Sequence, residues 1–252
     1  MTDNVLNVVL GLVASAISAA LGWLAQAVRR RRRIERVRRF FGLPAGSECL
    51  IVVNRQPAST HAKSVSRSDV YALMELAALV KECGSRAELV GHEEVRQGLG
   101  NKAEFCIGGP ASNERTAAHL TSRLPGVAHV PAPDTLVLNL AVGDTEFRHV
   151  TGSDPSGGQS FVLIARLQAS PESRPAFLIS GLTATANRAG VRYLVAHHRE
   201  LARRYGQDGT FALVLRVVNP EAYGPDMVEL AADVTAEAQQ RPSSPAAAAT
   251  AA

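Results

Sequence analysis

The longest uninterrupted pattern in the chain is an apolar run, Val5 to Val28, that carries no charge. Built as a helix at about 1.5 Å per residue it reaches roughly 36 Å, enough to cross a hydrocarbon core of about 30 Å. Arg29 to Arg33 follow at once, and Arg36, Arg38 and Arg39 continue the basic run. No lysine or arginine precedes the apolar stretch, so the charge asymmetry predicts an N-terminus outside the cell and a cytoplasmic location for everything after Arg29. A cleaved signal peptide would carry its basic residues ahead of a shorter apolar core. Ile34, Val37, Phe40 and Phe41 keep helical spacing and predict a short interfacial extension of the anchor, ended by Gly42 to Gly46.

Past that point the pattern alternates. Cys49 to Val53 is a continuous apolar run of strand length, as a strand buried on both faces would be. Ser66 and Asp69 have capping-box spacing ahead of an apolar stripe through Val80, with Gly84 as the stop. Arg86 to Val90 and Glu104 to Ile107 read as strands, His92 to Leu99 as a short helical piece, and Ser112 or Asn113 as the cap of a helix to Leu124. Thr135 to Val142 and Thr145 to Val150 flank Gly143-Asp144, the turn pair of a two-residue hairpin. Phe161 to Ala165 and Ala176 to Ser180 are strands, and a long helix runs from Thr185 or Asn187 to Tyr205. Phe211 to Val218 is a further strand, and Val228 to Val234 is an edge strand or a helix.

Strands alternating with helices predict a three-layer, Rossmann-like α/β domain with a mostly parallel sheet and an inserted β-hairpin, preceded by one transmembrane helix. The corresponding divisions are a membrane helix over 1–28, an Arg-rich juxtamembrane segment over 29–46, the domain over 47–238 and a disordered Pro, Ser and Ala tail over 239–252.

Charge changes the picture once. The formal net charge is +4, but eight arginines and Glu35 between Arg29 and Arg39 make a local +7, so the remainder sums to 4 − 7 = −3. The basicity belongs beside the membrane, where it suits anionic lipid headgroups. Nucleic-acid binding would want basic residues and aromatics spread over the folded face, and aromatics are 5% of the chain, so no nucleic-acid partner is expected. Gly11, Ser15, Ser18 and Gly22 draw a face of small residues along the anchor, through which a second copy could pack. Cys49, Cys83 and Cys106 form no Cys-x-x-Cys pair and fit buried thiols in a reducing compartment.

Candidate chemistry gathers at glycine turns. Gly108 and Gly109 follow a buried strand, and the amides of the next helix, with Ser112, Asn113 and Thr116, would suit a phosphate or carboxylate. Gly181, Thr183 and Thr185 repeat the arrangement, and Asn54 and Arg55 end the first strand. In a parallel sheet all three loops lie at the carboxyl edge, where open sheets bind ligands. Neither the third glycine of a dinucleotide fingerprint nor the lysine of a P-loop is present, so the same turns also read as architecture needing only glycine and a cap. The cofactor stays unnamed. Adjacent His197 and His198 on one helix point apart, predicting one exposed and one packed, and no metal site is expected. No catalytic nucleophile or acid–base pair is assigned; Ser180 before Gly181 lacks the preceding glycine of a nucleophile elbow.

The order Gly108-Gly109-Pro110 with Asn113 and Thr116, then Phe161 to Leu167, then Phe177 to Leu182 before a helix resembles a group of uncharacterised bacterial membrane-anchored Rossmann-like domain proteins. Those relatives tend to carry Asp-Tyr-Gly-Leu-Ile and Gly-x-x-Gly-Thr where this chain has Ser160-Phe-Val-Leu-Ile164 and Gly181-Leu-Thr-Ala-Thr185. The resemblance implies the fold and the membrane tether. The function expected is a membrane-tethered sensor binding a nucleotide-like or other anionic small molecule; the alternatives are a ligand-free scaffold and an enzyme acting on a nucleotide or sugar phosphate.

Overall fold

The computed structural model describes residues 2–56, 59–61, 63–132, 138–152 and 157–241. The start of the expected hairpin at Thr135 and most of the expected disordered tail lie outside them. The first helix, α1 (Thr2–Phe41), runs without a break from the apolar stretch through the arginines. It is the one helix among the described residues long and apolar enough to cross a membrane. Leu10, Ile17, Leu21, Trp23 and Leu24 along it are all exposed, as side chains facing lipid would be.

Seven strands form the central sheet: β1 (Glu48–Val53), β2 (Arg86–Gly91), β3 (Ala103–Ile107), β7 (Gln159–Leu167), β8 (Ala176–Gly181), β9 (Phe211–Val218) and β10 (Val228–Asp233), in the order β10-β9-β7-β8-β3-β1-β2. Pairs β2-β1, β1-β3 and β3-β8 are parallel, while β8-β7, β7-β9 and β9-β10 are antiparallel. Five of the seven strands therefore run one way, and β7 and β10 oppose them. The expected hairpin exists as β5 (Leu138–Val142) and β6 (Thr145–Phe147), with Val142 facing Thr145 across the Gly143-Asp144 turn. A strand that the pattern did not reveal, β4 (Val127–Pro131), joins them in a separate three-stranded sheet.

Alternation along the strands sorts the core into two faces. Cys49, Ile51, Phe105, Ile107, Val162 and Ile164 point to one face, covered by α2 (Arg67–Glu82), α4 (Ala184–Tyr205) and the end of α1. Leu50, Val52, Cys106, Leu163 and Ala165 point to the other, covered by α3 (Glu114–Arg123), the small sheet and the one-turn α6 (Thr235–Gln239). The remaining short helix, α5 (Pro220–Tyr223), fills the break after β9. Helices begin where short polar side chains satisfy their first amides: Ser66 accepts from Asp69, Asn113 from Thr116 and Thr183 from Ala186.

Three expectations are corrected. Residues 92–99 form turns and bends and no helix, since a run of eight residues between Gly91 and Gly100 with Gly98 inside it has too few bonds to offset nucleation. His197 and His198 are both half-buried, one stacked on Tyr193 at 4.0 Å and the other against Phe40 and Phe41. Of the four apolar residues expected at the bilayer interface, Val37, Phe40 and Phe41 are buried inside the domain, Phe41 completely, and Ile34 is half-buried. Phe40 and Phe41 pack edge to face at 4.9 Å, Phe41 lies 5.4 Å from Phe177 and 6.0 Å from Phe105, and Phe40 stacks on Phe211 at 6.5 Å. The anchor helix is thus an integral part of the domain. Arg38 fastens it further, its Nε donating to the Cys83 carbonyl at 2.7 Å.

Replacing Phe41 by Ala should cost roughly 3–5 kcal/mol, the usual cost of truncating a buried phenylalanine. Chains cut before Gly42 should melt lower than chains cut before Arg33 by a similar margin. Thermal denaturation of the two fragments checks this, and equal melting points would show that the helix end adds nothing to the core.

Candidate functional site

The three loops singled out above do meet at the carboxyl edge of the parallel strands. The Arg55 amide donates to the Ser112 carbonyl at 2.8 Å, joining the loop after β1 to the loop after β3. Asn113 adds bonds from its Nδ2 to the Ile107 carbonyl at 2.8 Å and the Val52 carbonyl at 3.4 Å. Gly181 joins through Asn187, whose Oδ1 accepts from the Gly181 amide at 2.7 Å.

The centre of this junction is a residue met above only as a capping partner. Asp69 is 1% exposed; its Oδ2 accepts from Asn54 Nδ2 at 3.0 Å and Ser66 Oγ at 2.9 Å, and its Oδ1 accepts from Asn187 Nδ2 at 2.9 Å. The position is in the first turn of α2, where amide dipoles favour a carboxylate. One buried acid therefore ties together the end of β1, the start of α2 and the start of α4.

The glycines serve the same closeness. Gly108 has φ +99°, and a Cβ there would lie 2.7 Å from Asn54 Cβ and 2.8 Å from Ser112 Oγ. At Gly181 a Cβ would meet the Asn187 amide nitrogen at 2.7 Å. Several of the amides expected to face an anion have internal acceptors: Gly108 donates to Ile179, Ser112 and Asn113 to Gly109, Thr116 to Asn113 Oδ1, and Ala186 to Thr183 Oγ1. Thr116 is buried inside α3, and Thr185 sits half-buried in the first turn of α4. Those bonds are made within the protein itself, which the pattern of glycines and caps allowed equally, although the buried Thr116 Oγ1 has no partner.

What stays open lies beside Asn54. Its Oδ1 is buried without a partner, and its side chain lines a cleft of about 240 Å³ shared with Arg55, Lys63, Val65, Gly91, His92, Glu93 and Glu94. Arg55 and Lys63 are exposed cations there.

Two further groupings escaped the sequence. Ser180 Oγ and His129 Nε2 lie 3.5 Å apart, but burial pulls the His129 pKa down to about 4, and its Nδ1 has no partner to orient the ring. A working nucleophile–base pair needs such an orienting group. The second grouping faces from β3 to α3. Glu104 Oε1 accepts from Arg115 Nε at 2.8 Å and Cys106 Sγ at 3.0 Å, with His119 Nε2 at 2.9 Å, and Glu104 Oε2 accepts from Arg115 at 2.8 Å. Glu104 and Cys106 share a face of β3, and Arg115 and His119 are one turn apart on α3, a signal that two-residue and four-residue spacings could have given.

Glu104, Cys106 and His119 could hold a metal ion, their ligating atoms lying within 4.8 Å of one another. The bonding describes an ion pair instead. Arg115 engages both carboxylate oxygens, and burial pushes the Cys106 thiol well above its ordinary range, so a metal would have to expel a guanidinium and ionise a resistant thiol. No protein-family profile and no curated protein matches this chain. The geometry of these clusters is accordingly the ground for assigning function.

Burial raises the Glu104 pKa, but hydrogen bonds from Arg115, His119 and Cys106 outweigh it and hold the carboxyl at about 2, below its ordinary 4.5. A depressed carboxyl contributes stability that is present above the unfolded value and lost as pH falls through the folded one. Acid titration of the wild type should therefore show stability falling between pH 4.5 and about 2. Glu104→Gln should be destabilised near neutral pH by on the order of 3 kcal/mol, because Arg115 keeps an unpaired buried charge, and should lose part of that acid slope. Equal slopes in both chains, followed by circular dichroism, would assign the acid sensitivity elsewhere.

Proposed function

We propose that this protein is a single-pass membrane protein whose cytoplasmic α/β domain acts as a sensor for a nucleotide-like or other anionic small molecule. The observation that carries the reading is Asn54 Oδ1, unpartnered on a side chain only 7% exposed at the cleft where β1 and β2 end. An unpaired buried carbonyl costs about 1–3 kcal/mol, which a hydroxyl or amino group of a ligand would recover. Arg55 and Lys63 supply positive charge for its anionic part, while Glu93 and Glu94 repel that part from their own side of the cleft. A space of about 240 Å³ admits a mononucleotide fragment or sugar phosphate and excludes a whole dinucleotide.

A ligand-free scaffold is the second reading, favoured by the internal acceptors that the glycine-loop amides already have. An enzyme on nucleotides or sugar phosphates comes third, for want of an oriented base.

Melting of the full chain in detergent against ATP, GTP, AMP and glucose 6-phosphate separates these readings. The sensor requires saturable stabilisation by one of them, weakened at least about tenfold when Arg55 and Lys63 are both changed to Ala. Silence with all four, or unchanged affinity in the double variant, favours the scaffold, and turnover of the added compound favours the enzyme.

The orientation follows from the arginine run after Val28, whose first residues, Arg29 to Arg33, are placed to meet anionic headgroups, while Arg38 and Arg39 bond to the domain. Protease added to intact cells should leave the domain whole, and replacing Arg29 to Arg33 by Gln should expose a fraction of it to cleavage. Digestion of the wild-type domain from outside would reverse the assignment.

A further inference from the structure

A second charged cleft lies at the opposite, amino edge of the sheet, where α1 enters the domain. It has a volume of about 310 Å³ and is lined by Arg38 and Arg39 of α1, Arg166 and Gln168 from the end of β7, Arg174 and Asp208. At its base sits Arg166, 1% exposed, at a position where the alternation of β7 calls for an apolar residue, since Val162 and Ile164 on the same face belong to the core. Its neighbours across the sheet are Phe177 and Phe211, and its guanidinium carbon lies 5.7 Å from the centre of the Phe40 ring and 5.9 Å from that of Phe177.

The charge is poorly compensated. Nη1 donates to the Gly209 carbonyl at 2.7 Å and to Gln168 Oε1 at 3.4 Å, but Nε is buried without a partner. Among the described residues no carboxylate lies within 4.0 Å of Arg166 or of the exposed Arg174. Of the acids lining the cleft, Glu35 pairs with Arg38 at 2.6 Å, Asp208 pairs with Arg39 at 2.9 Å, and Glu172 is exposed. Burying a guanidinium without its counter-charge is costly, and aromatic faces and two neutral acceptors offset only part of that cost. An anion entering the cleft would offset the rest.

We infer that this cleft is a binding site for a phosphate group, with Arg166 as its buried anchor and Arg174, Arg38 and Arg39 closing around it. Planar guanidinium groups match phosphate oxygens two at a time, and four of them converge here. Location adds a constraint. Arg38 is ten residues beyond Val28 along an unbroken helix, about 15 Å past the end of the apolar stretch, so the cleft opens just beyond the headgroup layer. The phosphate can thus come from a soluble compound or from a phosphorylated headgroup that projects from the bilayer. This site is independent of the Asn54 cleft, on the other edge of the sheet.

The test uses the full chain in nanodiscs. One arm holds phosphatidylcholine alone and adds inorganic pyrophosphate; the other incorporates a phosphoinositide with no soluble anion. Arg166→Met removes the charge while keeping an apolar stem among the phenylalanines, and Arg174→Gln leaves the core untouched. Both retain the arginine run from Arg29 to Arg33 and both retain Asn54. The wild type should melt higher in at least one arm, with the gain abolished in Arg166→Met and weakened several-fold in Arg174→Gln. A gain in the first arm assigns the soluble source, and a gain confined to the second assigns the headgroup. No gain in either arm, or a gain that Arg166→Met preserves, overturns the site. Should Arg166→Met fail to fold, the inference stands or falls on Arg174→Gln, for which an undiminished gain overturns it.

Discussion

Burial of Val37, Phe40 and Phe41 in the domain core is the contact on which the arrangement of the whole chain depends. Were α1 to end at the membrane, the domain would hang from a flexible arginine segment. Instead the helix that carries the apolar span inserts its last turn among Phe105, Phe177 and Phe211, so the span and the domain share one continuous helix. The Arg38 bond to the Cys83 carbonyl and the Arg39 pair with Asp208 lie on that same turn, although the exposed pair adds little beside the aromatic contacts.

The same insertion creates the electrostatic problem at the amino edge. Phe40 and Phe177 form an apolar wall against Arg166 and leave its charge answered by a single backbone carbonyl, a weak side-chain contact and the ring faces. The opposite edge solves its own problem differently: the buried Asp69 carboxylate receives three neutral donors and the helix N-terminus. One edge is organised around an acid whose oxygens are all answered, leaving open the cleft beside Asn54, and the other is left with an arginine in excess. That contrast, rather than the glycine turns, distinguishes the two ends of the sheet.

Much of the fold was legible because it rests on short-range rules. The apolar run to Val28, the strand at Cys49 to Val53, the Ser66 cap and the stop at Gly84 each follow from residues a few positions apart. The convergence of Asn54, Gly108, Ser112 and Gly181 at one edge was also readable, since parallel strands bring their following loops to the same side. What those loops do was not. A glycine that admits a ligand and a glycine that lets Asn54 and Ser112 approach have the same local signature, and only the position of the facing side chains distinguishes them.

By itself the sequence determined most of the elements, the apolar span, the charge step beside it and the caps, all of which depend on neighbours along the chain. Tertiary structure alone decided that Phe40 and Phe41 belong to the domain instead of the bilayer interface, because an aromatic pair at helical spacing is equally suited to either apolar surroundings. It also decided the pairing of β7 against β8, the assembly of Glu104 with Arg115 and His119, and the isolation of Arg166. Each of these depends on which groups from distant segments reach a buried charge, and the cost of burying a charge is set by those groups and not by the residues next to it in sequence.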